Sequence, residues 1–175
     1  MPSSPYRFDV RDLWHRAGEM RETSRSFDVP EQLGASVATV PAGTPLTLDA
    51  RFEGLHEGIL VSGHVTTTAV GECVRCLDRV ELPVDVAFQE VFAYSPDDAF
   101  DYTVHDNHVD CEPVVRDAVV LSLPFQPVCR PDCPGLDPET GERLADHPER
   151  KPREVIDPRW AALQGFATET TETTD

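Results

Sequence analysis

Strict alternation of apolar and polar residues dominates the middle of the chain. Leu46, Leu48, Ala50 and Phe52 alternate with Thr47, Asp49, Arg51 and Glu53, the period of a half-buried strand. Gly54 to Gly58 interrupts the pattern, and Ile59, Val61, Val65, Thr67 and Ala69 resume it. Gly63 falls inside this second run and predicts a bulge or kink. After Gly71 and Cys73-Val-Arg-Cys76, the residues Val80, Leu82, Val84, Val86, Phe88, Phe92 and Tyr94 share a third apolar face. Glu81, Asp85 and Gln89 oppose that face, while Glu90 lies on it and predicts a bulge or a paired carboxylate. With a short strand at Val37 to Val40 and the turn Pro41-Ala-Gly-Thr-Pro45, the expectation is a sheet over about 37–94.

The flanks read differently. Asp9 is placed to cap a short helix through Ala17, with Val10, Leu13 and Trp14 on one face and Gly18 at its end. The polar stretch Arg21 to Asp28 reads as a connection. Residues 95–110 are expected to form an exposed acidic loop, since Ser95 to Glu112 holds six acids, no base and two histidines. Asp110 then caps a helix over about 111–123, with Cys111, Val114, Val115, Ala118, Val119, Leu121 and Ser122 on one stripe. That stripe is the expected cover for the apolar sheet face. The predicted fold class is α+β, a twisted antiparallel β-sheet of long strands covered by one main helix. An irregular C-terminal region holds a Cys loop at 127–136, and Asp157-Pro158 opens a two-turn helix. One domain over 1–165 is expected, with 166–175 a disordered acidic tail.

Charge changes the picture of partners. The 175 residues carry 32 acids against 15 basic residues, for a net −17, and Lys151 is the single lysine. The deficit is spread: −4 over residues 1–72, −8 over 73–128 and −5 over 129–175. No segment has the basic surplus that phosphate neutralisation requires, so direct RNA binding is disfavoured. A basic protein partner gains in encounter rate. No apolar run approaches the roughly 18 residues of a membrane span, and the first residues lack a basic-then-apolar leader pattern. A cytoplasmic protein is expected.

The candidate chemistry lies in the cysteines. Cys73 and Cys76 sit in a turn between two predicted strands, and Cys129 and Cys133 sit in a proline-rich loop after the helix. Two such knuckles brought together make a four-thiolate site suited to structural zinc. The 52 residues between Cys76 and Cys129 cost ~3.5 kcal/mol of closure entropy, against roughly 10–16 kcal/mol for zinc in small finger peptides. Arg75, Arg79 and Arg130 lie close in sequence and are expected to offset the charge of the thiolates. Three other readings stay open on the residues alone: disulfides, a redox Cys-x-x-Cys, and four unrelated cysteines. Cys111, on the apolar helix stripe, reads as a core residue. His105 and His108 beside Asp101, Asp106 and Asp110 offer a weaker metal set, for which a solvated loop is the plainer reading. There is no phosphate loop, nucleophile elbow or His-Glu zinc helix, and so no catalytic residue is nominated.

Phe8-Asp-Val-Arg-Asp-Leu13, Met20-Arg-Glu22, Gly71-Glu-Cys-Val-Arg-Cys-Leu77, Leu121-Ser-Leu-Pro124 and Cys129-x3-Cys133-Pro-Gly-Leu136 together resemble the YceD family. These are large ribosomal RNA subunit accumulation proteins, and the likeness runs from about residue 6 to about 165. Arginine-rich, lysine-poor usage and the ending Asp157-Pro-Arg-Trp-Ala-Ala-Leu163 look like its actinobacterial branch. The resemblance implies a non-enzymatic role in synthesis, processing or accumulation of large-subunit (23S) ribosomal RNA. Carried over by position, the cysteine pairs are Cys73 with Cys76 and Cys129 with Cys133. Some relatives have further cysteines where this chain has Asp137 and Thr140, which leaves four thiolates here. The implied partner is a basic ribosomal protein or an rRNA-processing enzyme on large-subunit precursors. The acidic stretch Asp97 to Glu112 is the candidate contact, and the Trp160–Leu163 helix a second. The competing readings are an RNA-processing enzyme or direct rRNA binder, and a zinc-store or thiol redox module.

Overall fold

A central fifteen-residue strand organises the computed structural model, which describes residues 4–35, 37–96, 99–150 and 159. The strands are β1 (Arg7–Asp9), β2 (Met20–Asp28), β3 (Ala38–Thr39), β4 (Pro45–Gly54), β5 (Gly58–Glu72), β6 (Arg79–Ala93), β7 (Tyr102–Thr103) and β8 (His108–Asp110). One helix, α1 (Glu112–Ser122), follows β8. The main sheet has the order β2-β4-β5-β6-β7, with β3 also paired to β5, while β1 and β8 form a separate two-stranded ribbon. All main-sheet pairings are antiparallel except β6 with β7, so the sheet is mixed. No helix among the described residues is long and apolar enough to cross a membrane.

The alternation read from the sequence corresponds to burial. Leu46, Leu48, Ala50 and Phe52 of β4 are buried, as are Ile59, Val61, Val65 and Ala69 of β5. The expected bulges are absent. β5 and β6 pair without a break from Gly58↔Ala93 to Glu72↔Arg79, passing Val61↔Glu90 in register. Glu90 is exposed near the sheet margin, which satisfies its carboxylate with water. Gly63 lies opposite Phe88, and a Cβ there would come within 2.2 Å of the Phe88 ring carbons. The glycine makes room for an aromatic cross-strand partner rather than bending the strand.

The cover is broader than one helix. α1 packs on β6, burying Val114, Val115 and Val119. Leu121 is 84% exposed and Ser122 is also exposed, so the apolar stripe ends earlier than the sequence suggests. The Asp110 carboxylate accepts from the Glu112 N–H at 3.0 Å, one residue ahead of the N-cap position at Cys111. The β1–β8 ribbon and the segment after it cover the rest, with Phe8, Val10, Leu13 and Val109 buried.

Two expectations about the N-terminal third are overturned. Residues 10–17 form turns, not a helix. The Asp9 carboxylate is taken by the Arg11 N–H and guanidinium, the Val10 N–H donates to the Asn107 carbonyl at 2.9 Å, and His15 is left-handed at φ 53. Arg21 to Asp28 is not a connection but most of β2. Its inner face carries Arg21, Thr23, Arg25 and Phe27 opposite Phe52, Ala50, Leu48 and Leu46. The Arg25 guanidinium lies 4.0 Å over the Phe8 ring and donates to the Pro5 and Arg7 carbonyls at 2.8 and 3.0 Å. Arg21 donates to the Asp9 carbonyl at 2.6 Å and pairs with Asp12. Arginines on an inner face hide the strand's period.

The acidic stretch 95–110 is likewise more ordered than expected. β7 adds to β6 with the Tyr102 and Phe92 rings 5.3 Å apart. Asp106 and Asn107, at φ 49 and 61, make a two-residue turn between His105 and His108, with the signs of a type I′ hairpin.

The chain divides into two compact units, Met1–Cys133 and Pro134–Asp175. In the second, the Asp137 carboxylate accepts from the Glu139 and Thr140 N–H groups, which holds its pKa below the usual range. The Leu144 N–H donates to the Gly135 carbonyl at 3.0 Å, and a single 3-10 turn spans Leu144–Asp146. The helix expected after Asp157 and the tail 166–175 lie outside the described residues, apart from Arg159.

Val119→Asp should lower unfolding free energy by several kcal/mol in a denaturant titration, because it buries an unpaired charge. Gly63→Val should cost about 1–3 kcal/mol through overlap with Phe88. Adding Phe88→Ala should recover part of that second loss, whereas simple additivity would argue against the steric account.

Candidate metal centre

The first knuckle is a hairpin end. With Glu72 opposite Arg79, the chain must reverse within Cys73–Asp78. The Cys73 N–H donates to the Asp78 carbonyl at 2.7 Å, and the Leu77 N–H donates to the Cys73 carbonyl at 2.8 Å. Leu77 closes the reversal in the left-handed region at φ 62, which a side chain adopts at some cost.

The second knuckle, after α1, is tied to the first by three bonds. The Val74 N–H donates to the Pro127 carbonyl at 2.9 Å. The Arg75 guanidinium donates to the carbonyls of Pro131 and Cys133 at 2.9 and 3.1 Å. Arg75 therefore clamps loop to hairpin instead of facing the thiolates. Arg130 pairs with Asp132, and Arg79 opens β6. The expected charge compensation by three arginines is thus replaced by backbone donors. These tethers could not be read from residue types, because their acceptors are main-chain carbonyls.

The four sulfurs of Cys73, Cys76, Cys129 and Cys133 all lie within 4.8 Å of one another. Cys73 and Cys133 are 3.9 Å apart and Cys76 and Cys129 are 3.7 Å apart, so none is joined in a disulfide. Four sulfurs about 2.3 Å from a common centre in tetrahedral array would be separated by roughly 3.8 Å. The quartet can bind a metal ion. It joins the four residues nominated from sequence, two from each knuckle. Among the described residues it is the cluster of three or more potential ligands that the fold assembles. His105 and His108 instead bond to the Thr103 hydroxyl and the Asp106 carbonyl, each at 2.7 Å.

Electrostatics prepare the quartet unevenly. Burial opposes ionisation of Cys73, but donors from the Cys129, Cys76 and Arg75 backbone bring its thiol down to about 6. The Asp78 N–H favours the Cys76 thiolate, yet burial and the three neighbouring sulfurs push that thiol up to about 12. The neighbouring Cys133 sulfur and burial also raise Cys129. One thiolate is thus ready near neutral pH, and a metal binding there would displace protons from Cys76 and Cys129. Cys111 stands apart, fully buried, with its thiol pushed up to about 12 by burial and the Asp110 charge.

Comparison with known proteins now adds a family. The family described as "Large ribosomal RNA subunit accumulation protein YceD" matches residues 61–167. The uncharacterized protein Rv2926c of Mycobacterium tuberculosis is 45% identical over 169 residues, covering 92% of this chain and 81% of that protein. ML1660 of Mycobacterium leprae is 38% identical over 168 residues, 91% of this chain and 76% of its own length. YlbN of Bacillus subtilis is 31% identical over 97 residues, 53% of this chain and 56% of its own. No solved structure matches the chain.

Arg75→Ala should lower metal affinity about tenfold or more in a chelator competition, as loss of groups that orient ligands does. Arg130→Ala, which removes only an exposed ion pair, should leave the affinity within about twofold. Equal losses in the two variants would remove the clamp role from Arg75.

Proposed function

The chain belongs to the YceD family, and we propose on that premise that it is a non-enzymatic cytoplasmic factor supporting large-subunit ribosomal RNA accumulation. It acts through protein contacts on large-subunit precursors. Its Cys73, Cys76, Cys129 and Cys133 hold one structural zinc, which fixes the hairpin tip to the loop after α1. The observation that carries this reading is four thiol sulfurs within 4.8 Å of one another on two tethered loops, with separations of 3.7 and 3.9 Å across the knuckles. Soft thiolates suit zinc, which brings no redox chemistry of its own.

The partner is inferred from charge. The solvent face of the main sheet exposes Glu22, Asp49, Glu81 and Asp85 and carries Arg51 and Arg79. With a net charge of −17, this protein is suited to a basic ribosomal protein or a processing enzyme rather than to bare RNA. A protein making 6–10 phosphate contacts loses roughly 10³–10⁵ in affinity between 50 and 200 mM salt and needs a basic surface for them.

Protein purified under reducing conditions without chelator should carry one zinc per chain. Cys→Ser at any quartet position should reduce that content, whereas Cys111→Ser should leave it unchanged. Metal content near zero in fresh reduced protein would sink the zinc assignment. A tagged pull-down at low and high salt should recover a basic large-subunit protein or processing enzyme, with recovery falling as salt rises. Sub-micromolar binding to protein-free ribosomal RNA at physiological salt would overturn the protein-contact account.

A further inference from the structure

The four sulfurs are unequally sheltered. Cys73, Cys76 and Cys133 are buried, while Cys129 is exposed. The two short separations, 3.7 Å for Cys76 with Cys129 and 3.9 Å for Cys73 with Cys133, both run between knuckles. Oxidation of a thiol by a dissolved peroxide requires access to it, and within this quartet Cys129 alone is exposed.

We propose that Cys129 is an oxidation site for hydroperoxides, with Cys76 as its resolving partner. In the first step the Cys129 thiolate gives an electron pair to the distal peroxide oxygen and the O–O bond breaks. Cys129 becomes a sulfenic acid, and hydroxide or alkoxide leaves. In the second step the Cys76 sulfur attacks the Cys129 sulfur, the S–O bond breaks, and hydroxide leaves with the proton to form water. Two sulfurs have together lost two electrons, and the peroxide has gained them. The Cys76 and Cys129 sulfurs must close from 3.7 Å to about 2.0 Å, a side-chain movement. A dithiol reductant reverses the change by exchange through a mixed disulfide: its own two thiols are oxidised to a disulfide, and the two electrons and two protons return Cys76 and Cys129 to thiols.

The consequence depends on which residues are joined. A Cys76–Cys129 disulfide removes two thiolates from the donor set, so a tetrahedral metal is lost. It also joins the same two loops that the quartet brings together, and the Arg75 bonds to Pro131 and Cys133 need no rearrangement. The oxidised protein therefore keeps its knuckles together while releasing its metal. This second consequence rests on the metal reading above; the oxidation itself does not.

The test uses the full reduced chain, its zinc content measured first, exposed to hydrogen peroxide in slight excess. Peptide mapping after alkylation should find Cys76–Cys129 as the first disulfide, with Cys111 alkylated only after unfolding. One zinc should appear in solution per disulfide formed, and dithiothreitol with added zinc should restore the starting state. In Cys76→Ser, a sulfenic-acid trap such as dimedone should label Cys129 and no other cysteine. A first disulfide between any other pair, or trapping at another cysteine, would overturn the proposal. A chain that carries no zinc but still forms Cys76–Cys129 would retain the oxidation site and refute the metal reading alone.

Discussion

The pairing of β5 with β6 is the constraint on which the other features depend. Their register is continuous from Gly58↔Ala93 to Glu72↔Arg79. A shift of one residue would turn Ile59, Val61, Val65 and Ala69 out of the core, so burial holds the register firmly. The same register dictates where the hairpin ends. Cys73 and Cys76 are presented at the tip of two long strands, and their placement is inherited from the sheet rather than built by the loop alone. That is why a short turn with a left-handed Leu77 can serve as half of a metal site.

At β2 the core is closed by arginine instead of hydrocarbon. The planar guanidinium of Arg25 covers the Phe8 ring while its edge satisfies two carbonyls of the N-terminal segment. Arg21 does a similar task beside Phe52, with its ring centroid 5.6 Å away. A lysine could not do both, since its compact ammonium lacks the flat face and the fork. These contacts hold the β1–β8 ribbon on the sheet, and through the ribbon they set the start of α1. The Cys111 N–H donates to the Tyr6 carbonyl at 3.1 Å at that junction.

The sequence was most readable where one physical rule acted alone. The strands β4, β5 and β6 alternate because one face is dry and the other wet, and that period survives direct reading. The cysteine quartet was readable because thiols at two close spacings have few common uses. β2 was not, because its inward arginines break the expected polarity. Gly63 and Glu90 misled for a related reason: each departs from the alternation, but a ring fills the first gap and water satisfies the second. β7 and β8 have two and three residues, too few to show a period. The helix expected at Asp9 failed because its cap was already engaged in a turn and its backbone in the ribbon. The clamp by Arg75 left no trace in residue types, since main-chain acceptors are available everywhere.

The quartet also bears on how α1 is held. The ribbon anchors its beginning, and its middle buries Val114, Val115 and Val119, each contributing about 1.5–3 kcal/mol. Its end passes through Leu123 and Pro124 to the second knuckle, which bonds to the hairpin tip at Val74 and Arg75. Sheet and helix are thus linked twice, by apolar contact along α1 and by the knuckles beyond it. A metal bound at the quartet would strengthen only the second link, because the apolar contacts form without it. Its loss should free the loop after α1 before it disturbs β5 and β6, where burial sets the register. The part of the surface that would respond to a metal bound there is therefore the hairpin tip and the loop facing it. The sheet supports that region and does not have to change with it.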